Sequence, residues 1–113
     1  MIKLNQGGIY RVKFPYVEKL KIKERPAILI SRTPSPFDDY IFCMITRTLR
    51  DDGFSFLLED KFLKTKLSFQ SEVRLYKMVT INRSMILEEL SSVTPAGLKK
   101  LIPKILENFI EVA

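Results

Sequence analysis

The sequence predicts a mainly β fold, in which a small, strongly curved antiparallel sheet or partly closed barrel carries one C-terminal helix. Five or six short apolar or alternating segments are separated by turn residues, and only the C-terminal segment follows a helical apolar period. The length of 113 residues is that of one domain, and no linker or repeat interrupts it. We therefore assign residues 1–113 to a single domain.

The first two strands follow from alternation and from an apolar run. From Ile9 to Phe14 the side chains alternate, which indicates a half-buried strand that Pro15 ends. Residues 27–30 form a short apolar run, typical of a strand covered on both faces. Residues 16–24 contain no turn glycine, and we predict an irregular basic connection there that could act as a mobile substrate flap.

Further strands are predicted downstream. Residues 40–46 are expected to pair with the second strand in the core, and residues 54–59 form another strand after a polar turn. Residues 72–81 alternate, so that Lys77 interrupts one apolar face of that strand. Residues 84–93 fit either a strand or a short helix.

The C-terminal helix has the clearest pattern. Thr94 is a good N-cap, Pro95 suits the first helical position, and an apolar stripe predicts that the helix packs on the sheet. The stripe consists of Leu98, Leu101, Ile102, Ile105, Leu106, Phe109 and Ile110. Pro103 lies inside the stripe and is expected to kink or split the helix, because proline lacks an amide donor.

Composition and charge restrict the function. No apolar run is long enough for a signal peptide or a membrane span, so we expect a cytoplasmic protein without a membrane partner. The net charge of +6 lies in the first half, where residues 1–50 contain 10 Lys and Arg against 4 Asp and Glu; residues 51–113 contain 9 against 9. This clustering predicts a polyanion such as RNA or DNA as partner, and the alternative is a solvated basic face.

The chain contains no histidine, which excludes Ser-His-Asp and Cys-His catalysis, the paired-histidine ribonuclease mechanism and imidazole metal sites. Asp38 and Asp39, like Asp51 and Asp52, lie in turn-like contexts, so we predict no metal and no cofactor. The single cysteine, Cys43, lies in an apolar strand and is expected in the core rather than as a nucleophile.

Arg25 is the strongest candidate for a site residue. Pro26 pushes Arg25 towards an extended conformation at the entry of the apolar run, so a rigid strand would hold the guanidinium. The same residues also fit a plain arginine that caps a surface strand.

Four segments in this order, GGIYRVKFPY, KERPAILIS, YIFCMIT and SEVRLYKMVTI, together with the capped helix, resemble the MazF/PemK family of toxin endoribonucleases. The resemblance implies an SH3-like barrel with added helices and a homodimer whose groove binds single-stranded RNA. It also implies metal-independent cleavage of mRNA at short sequences, and a cognate acidic antitoxin that occupies the same groove.

By position, the resemblance places the catalytic arginine at Arg25 and the catalytic threonine at Thr46, with Thr48 as a neighbouring alternative. Gly8 stands where the family usually has aspartate, and a lysine-rich segment, residues 18–23, replaces its flexible Gly-Ser type loop. The basic and aromatic candidates for RNA binding are Tyr16, Lys19, Lys21, Lys23, Arg47 and Lys77.

RNA supplies its own nucleophile, the 2'-hydroxyl, so cleavage requires alignment and stabilisation of the phosphorane. The Arg25 fork can bind two phosphate oxygens, and Thr46 can donate to the same phosphate, which predicts 2',3'-cyclic phosphate and 5'-hydroxyl products. Tyr16, Glu24 and Lys77 are unranked candidates for proton transfer. The alternative function is a non-catalytic binding module, or a toxin on the same fold that poisons a protein such as DNA gyrase.

Overall fold

The computed structural model describes residues 2–16 and 21–111, which form six strands, one α-helix and two short 3-10 helices at Asp60–Phe62 and Arg83–Met85. The elements are β1 (Gly8–Tyr16), β2 (Lys21–Leu29), β3 (Asp39–Thr46), β4 (Ser55–Leu57), β5 (Glu72–Asn82), β6 (Ile86–Ser92) and α1 (Pro95–Glu107). Every strand pair is antiparallel, and the order across the sheet is β4-β5-β3-β2-β1-β6. The predicted mainly β antiparallel fold with a C-terminal helix is confirmed.

The sheet is not a closed ring, because β4 and β6 form its two edges. The chain after β4 nevertheless returns to the end of β6, where Leu63 bridges Val93 and the Lys64 amide donates to the Ser92 carbonyl at 2.9 Å. This junction joins the segment after β4 to the end of β6, while the sheet itself stays open between its two edge strands.

The sheet buries apolar side chains on both faces. On the helix face, which carries Ile28, the sheet packs against Leu101 of α1. On the opposite face, here called the distal face, Ala27 and Phe42 belong to a second cluster that includes Leu4 of the N-terminal segment. The central strands are therefore covered on both sides, as the apolar run in β2 predicts.

The helix begins as predicted but is not split by its proline. The Thr94 hydroxyl accepts a hydrogen bond from the Gly97 amide at 3.2 Å, and the helix continues through Pro103 to Glu107. The carbonyl of Lys99 loses its usual donor at Pro103, but both residues are exposed and water can replace that donor. The last residues of the predicted stripe face solvent: Leu106, Phe109 and Ile110. In the described part of the chain, no helix is long and apolar enough to cross a membrane.

β1 and β2 form a long hairpin, so the predicted irregular connection is wrong where the structure describes it. β1 continues through Pro15 to Tyr16, whose register partner is Lys21. Pro15 is tolerated because β6 pairs with β1 only as far as Val12, which leaves the rest of β1 without a ladder on that side. The predicted flap also includes residues 17–20, which lie outside the described residues.

A bulge in β5 changes which residues share a face. In the β3–β5 ladder, Cys43 pairs with Met78 and Ile45 pairs with Val73. The four residues 74–77 of β5 therefore lie opposite Met44 alone. Val73 therefore packs on the helix face, whereas Val79 packs against the distal-face cluster. The predicted single apolar face interrupted by Lys77 is wrong, because Lys77 lies in the bulge and is exposed.

The packing of Tyr10 explains why glycine stands at position 8. A Cβ at Gly8 would lie 2.5 Å from the Tyr10 hydroxyl oxygen and from a ring carbon. The ring is fully buried, and its hydroxyl donates to the Lys3 carbonyl at 3.2 Å and accepts from the Asn5 amide at 3.0 Å. An aspartate at position 8, as the resemblance suggests, does not fit beside this ring.

Replacing Gly8 by alanine is expected to lower the free energy of unfolding by about 1–3 kcal/mol, because the new methyl group overpacks the Tyr10 ring. Chemical denaturation measures the change. Ser92→Ala, at the cross-strand partner of Gly8, is the control and should cost roughly 0.5 kcal/mol or less. Equal stability of the two variants would contradict the fixed position of the ring.

Candidate active site

Arg25 and Thr46 lie on neighbouring strands, each two residues beyond the last pair of the β2–β3 ladder, Ala27 and Met44. The register of that ladder, if continued, would set Arg25 opposite Thr46. Residues two apart on a strand share a face, so both candidates lie on the distal face. The two residues that the resemblance marks as catalytic thus lie on the same face of two neighbouring strands.

Both side chains lie where the packed part of the distal face meets solvent. Ala27 and Phe42 are fully buried, whereas Arg25 and Thr46 are partly exposed. The β2–β3 ladder stops beside them, since Pro26 has no amide hydrogen to extend it. A guanidinium and a hydroxyl therefore stand on rigid strands at the edge of the core.

The Thr46 hydroxyl is oriented by the backbone. Its oxygen accepts a hydrogen bond from the Thr48 amide at 3.1 Å. A hydroxyl has one donor hydrogen in addition to its acceptor lone pairs, so the hydrogen of Thr46 is left to donate to a ligand. Thr48, the alternative catalytic threonine, supplies the supporting amide in this arrangement.

Beside Thr46 lies a buried ion pair that sequence reasoning missed. Glu72 is the register partner of Thr46, its side chain is 3% exposed, and its Oε1 lies 3.1 Å from Nη1 of Arg74. The same oxygen accepts from the amide of Arg50 at 3.0 Å, in the β3–β4 loop (residues 47–54). The available signal was the alternation of these two charges with apolar residues, which places both charges on one face.

Arg74 makes further contacts with the same loop. Its Nη1 donates to the Ser55 hydroxyl at 3.1 Å and lies 3.6 Å from a carboxylate oxygen of Asp52, while its Nη2 donates to the Thr48 carbonyl at 3.2 Å. The Phe54 amide donates to Asp52 and, together with the Ser55 hydroxyl and Arg74, lowers the pKa of that carboxyl group. Side chains of this network thus bind the loop backbone at several points.

Three of the basic residues predicted to bind RNA lie on or next to the central strands: Lys23 on β2, Arg47 directly after β3, and Lys77 on β5. Lys23 lies two residues from Arg25 on β2 and so shares its face. Arg47 places its guanidinium carbon 4.7 Å from the centre of the Phe69 ring. Lys77 is exposed on β5, which β3 separates from β2.

The remaining candidates lie in or near the hairpin turn. Tyr16 and Lys21 are register partners at the end of the β1–β2 hairpin, and the structure describes their backbone alone. Lys19 lies outside the described residues. Their roles in RNA binding stay predictions.

Glu24 is not placed to exchange protons with a group bound at Arg25. It precedes Arg25 on β2 and therefore lies on the helix face. There its carboxylate pairs with Arg11, which also donates to Glu88 at 3.0 Å. Glu24 is thus removed from the candidates for proton transfer.

Cys43 lies in the core, as its apolar neighbours predict. It is fully buried on the helix face, and burial raises the pKa of its thiol to about 12. Among the described residues, no three His, Cys, Asp or Glu side chains are gathered as a metal site requires.

Together, the fold and the site define a small antiparallel β protein that presents a guanidinium and a hydroxyl at the rim of one sheet face. The chain belongs to the PemK-like, MazF-like toxins of type II toxin-antitoxin systems, since the model of that family matches residues 5–109. The resemblance noted in the sequence is therefore confirmed. No curated protein matches the chain in sequence.

Solved structures share the fold over nearly the whole chain. An endoribonuclease from a mycobacterial species, in complex with its cognate antitoxin, has a TM-score of 0.76 at 16% identity, with 95% of each chain covered. The Mycobacterium tuberculosis toxin MazF-mt6 has a TM-score of 0.72 at 17% identity, with 90% of this chain and 95% of that chain covered. A chain of the MazE-MazF complex from Deinococcus radiodurans has a TM-score of 0.74 at 16% identity, with 94% of this chain and 95% of that chain covered. At these identities the likeness concerns the fold.

The buried thiol provides a test of the core packing. Because the pKa of Cys43 is raised to about 12, almost no thiolate forms near pH 8, and the native protein should not react with a thiol reagent. With a thiol reagent that releases a coloured group when it reacts, the absorbance should rise only after denaturant is added. Ser84→Cys, which adds a cysteine at an exposed position, should react at once with one equivalent. Rapid reaction of the unaltered native chain would contradict the burial of Cys43.

Proposed function

We propose that the chain is an endoribonuclease toxin that cleaves single-stranded mRNA without a metal or cofactor, with Arg25 and Thr46 as its catalytic residues. The observation that carries the proposal is that both donors lie partly exposed on the distal face, each two residues beyond the last pair of the β2–β3 ladder. Membership of the toxin family and the likeness to a chain named an endoribonuclease support the same chemistry.

The geometry suits in-line attack by the 2'-hydroxyl of RNA. A guanidinium fork binds two oxygens of one phosphate and stays charged at every physiological pH. The Thr46 hydrogen donates to the same phosphate, while the backbone of Thr48 holds the hydroxyl in place. Stabilisation of the phosphorane by preorganised donors then yields 2',3'-cyclic phosphate and 5'-hydroxyl ends.

The charge of the β1–β2 hairpin supports the choice of RNA as substrate. Lys21 and Lys23 precede Arg25 on β2. Clustered cations of this kind favour binding to RNA, because they release counterions from its phosphate backbone. We assign Tyr16 a base-stacking role, because bases of single-stranded RNA stack on aromatic rings. The further basic residues assigned to the RNA surface are Lys19, Arg47 and Lys77.

We also propose a homodimer that acts in the cytoplasm and is inhibited by a cognate acidic antitoxin bound over the same basic face. Two of the similar structures are named as complexes with an antitoxin or with MazE, which supports this class of partner. The net charge of +6 favours an acidic segment. Degradation of mRNA by the free toxin would stop translation and growth.

Incubating the purified chain with mixed single-stranded RNA in EDTA separates the nuclease from a non-catalytic binder. We expect discrete fragments that carry cyclic phosphate and 5'-hydroxyl ends, since neither Arg25 nor Thr46 needs a metal to bind phosphate. End-group analysis by mass spectrometry makes the measurement. Intact RNA would favour the binding module or a toxin that acts on a protein target.

Arg25→Ala is expected to slow cleavage by about 100- to 1,000-fold, because it removes a preorganised contact to the phosphorane. Arg11→Ala is the matched control: Arg11 lies on the neighbouring strand but on the helix face, and its cleavage rate should stay near that of the unaltered chain. Circular dichroism confirms that both variants fold. Cleavage by folded Arg25→Ala at the unaltered rate would refute the catalytic assignment.

A further inference from the structure

We infer that Glu72 and Arg74 are positioning residues, which fix the Thr46 hydroxyl by holding the β3–β4 loop. The inference rests on the proposed nuclease function and goes beyond it, because neither residue is assigned a contact with RNA. Its basis is a buried ion pair beside the site, connected to Thr46 through hydrogen bonds of Thr48.

The β3–β4 loop depends on this ion pair because it has no core of its own. All of its side chains, residues 47–54, are exposed. Its backbone is held instead at Thr48, whose carbonyl accepts from Arg74, and at Arg50, whose amide donates to Glu72. An exposed loop without buried side chains opens at low free-energy cost unless such contacts hold it.

Thr48 connects the ion pair to the catalytic hydroxyl. Its carbonyl accepts from Nη2 of Arg74 at 3.2 Å, and its amide donates to the Thr46 oxygen at 3.1 Å. Both peptide groups of Thr48 are therefore held. When the amide is fixed, the Thr46 hydroxyl keeps the rotamer in which its hydrogen is available to the phosphate.

Glu72 is required because it keeps the Arg74 fork in place. The side chains of Glu72 and Arg74 are 3% and 11% exposed, so their 3.1 Å ion pair replaces much of the water that each charge has lost. The second carboxylate near Arg74, that of Asp52, is farther away at 3.6 Å and more exposed. Glu72 also lies directly opposite Thr46, at a cross-strand separation of about 5 Å between Cβ atoms. Pairing with Arg74 offsets a carboxylate charge that would otherwise repel the substrate phosphate.

Glu72→Gln tests this role, since glutamine retains the size of the side chain but loses the charge that holds Arg74. We expect kcat to fall about 10- to 100-fold with KM changed less than about twofold, because the hydroxyl is misplaced rather than removed. The substrate is a short RNA that the unaltered chain cuts in EDTA. Hydrogen exchange measured by NMR should become faster at the Thr48 and Arg50 amides.

Glu88→Gln is the matched control, because it also removes a carboxylate from an ion pair with an arginine, but on the helix face. Its kcat and amide exchange should equal those of the unaltered chain. Arg74→Lys serves as a second variant if Glu72→Gln fails to fold. Lysine keeps a positive charge opposite Glu72. Its single ammonium group cannot also replace the second guanidinium nitrogen, which donates to the Thr48 carbonyl. We therefore expect the same fall in kcat.

The outcomes separate this inference from the proposed function. Failure of the unaltered chain to cut any RNA overturns the nuclease and the positioning role together. Cleavage by folded Glu72→Gln and Arg74→Lys at the unaltered rate overturns the positioning role alone. A slow variant whose Thr48 amide exchanges as in the unaltered chain also overturns it, because the loss would then not act through the loop.

Discussion

The pairing of β2 with β3 at the centre of the sheet is the constraint on which the site depends. Ala27 and Phe42 are fully buried on the distal face, and Ile28 and Cys43 on the helix face. A slip of one residue would exchange the faces and move Arg25 away from the rim, so burial on both sides fixes the register strongly. Apolar packing thereby aligns two polar groups that belong to neither core.

Pro26 has a second role in this arrangement. It orients Arg25, and it also removes the amide that would extend the β2–β3 ladder past Ala27. β6 pairs with β1 as far as Val12, and among the described residues the strand pairs beyond these points join β1 to β2. The result is a two-stranded arm, and Arg25 lies at its base.

How far the sequence predicts the structure depends on whether the deciding contacts are local. The N-cap at Thr94 and the apolar run of β2 are local patterns, and both were predicted. The bulge in β5 and the tolerance of Pro15 depend on which strands lie alongside, and no local pattern contains that information. The Glu72 ion pair was missed for the same reason: two charges on one face are stable there only because the β3–β4 loop covers them.

The charges of the site act over two different ranges. In the proposed function, lysines on the hairpin arm such as Lys23 would attract RNA over distances that salt screens, at a Debye length of about 8 Å in physiological buffer. Arg25 would act at contact with the phosphate, beside buried Ala27 and Phe42, where its charge is less screened than in water. On that proposal, the lysine-rich segment before Arg25 would differ from a Gly-Ser type loop mainly in how strongly it attracts RNA. Under the same proposal, the reacting phosphate would meet Arg25 and Thr46 whatever the composition of that segment, so substrate capture and chemistry could change independently.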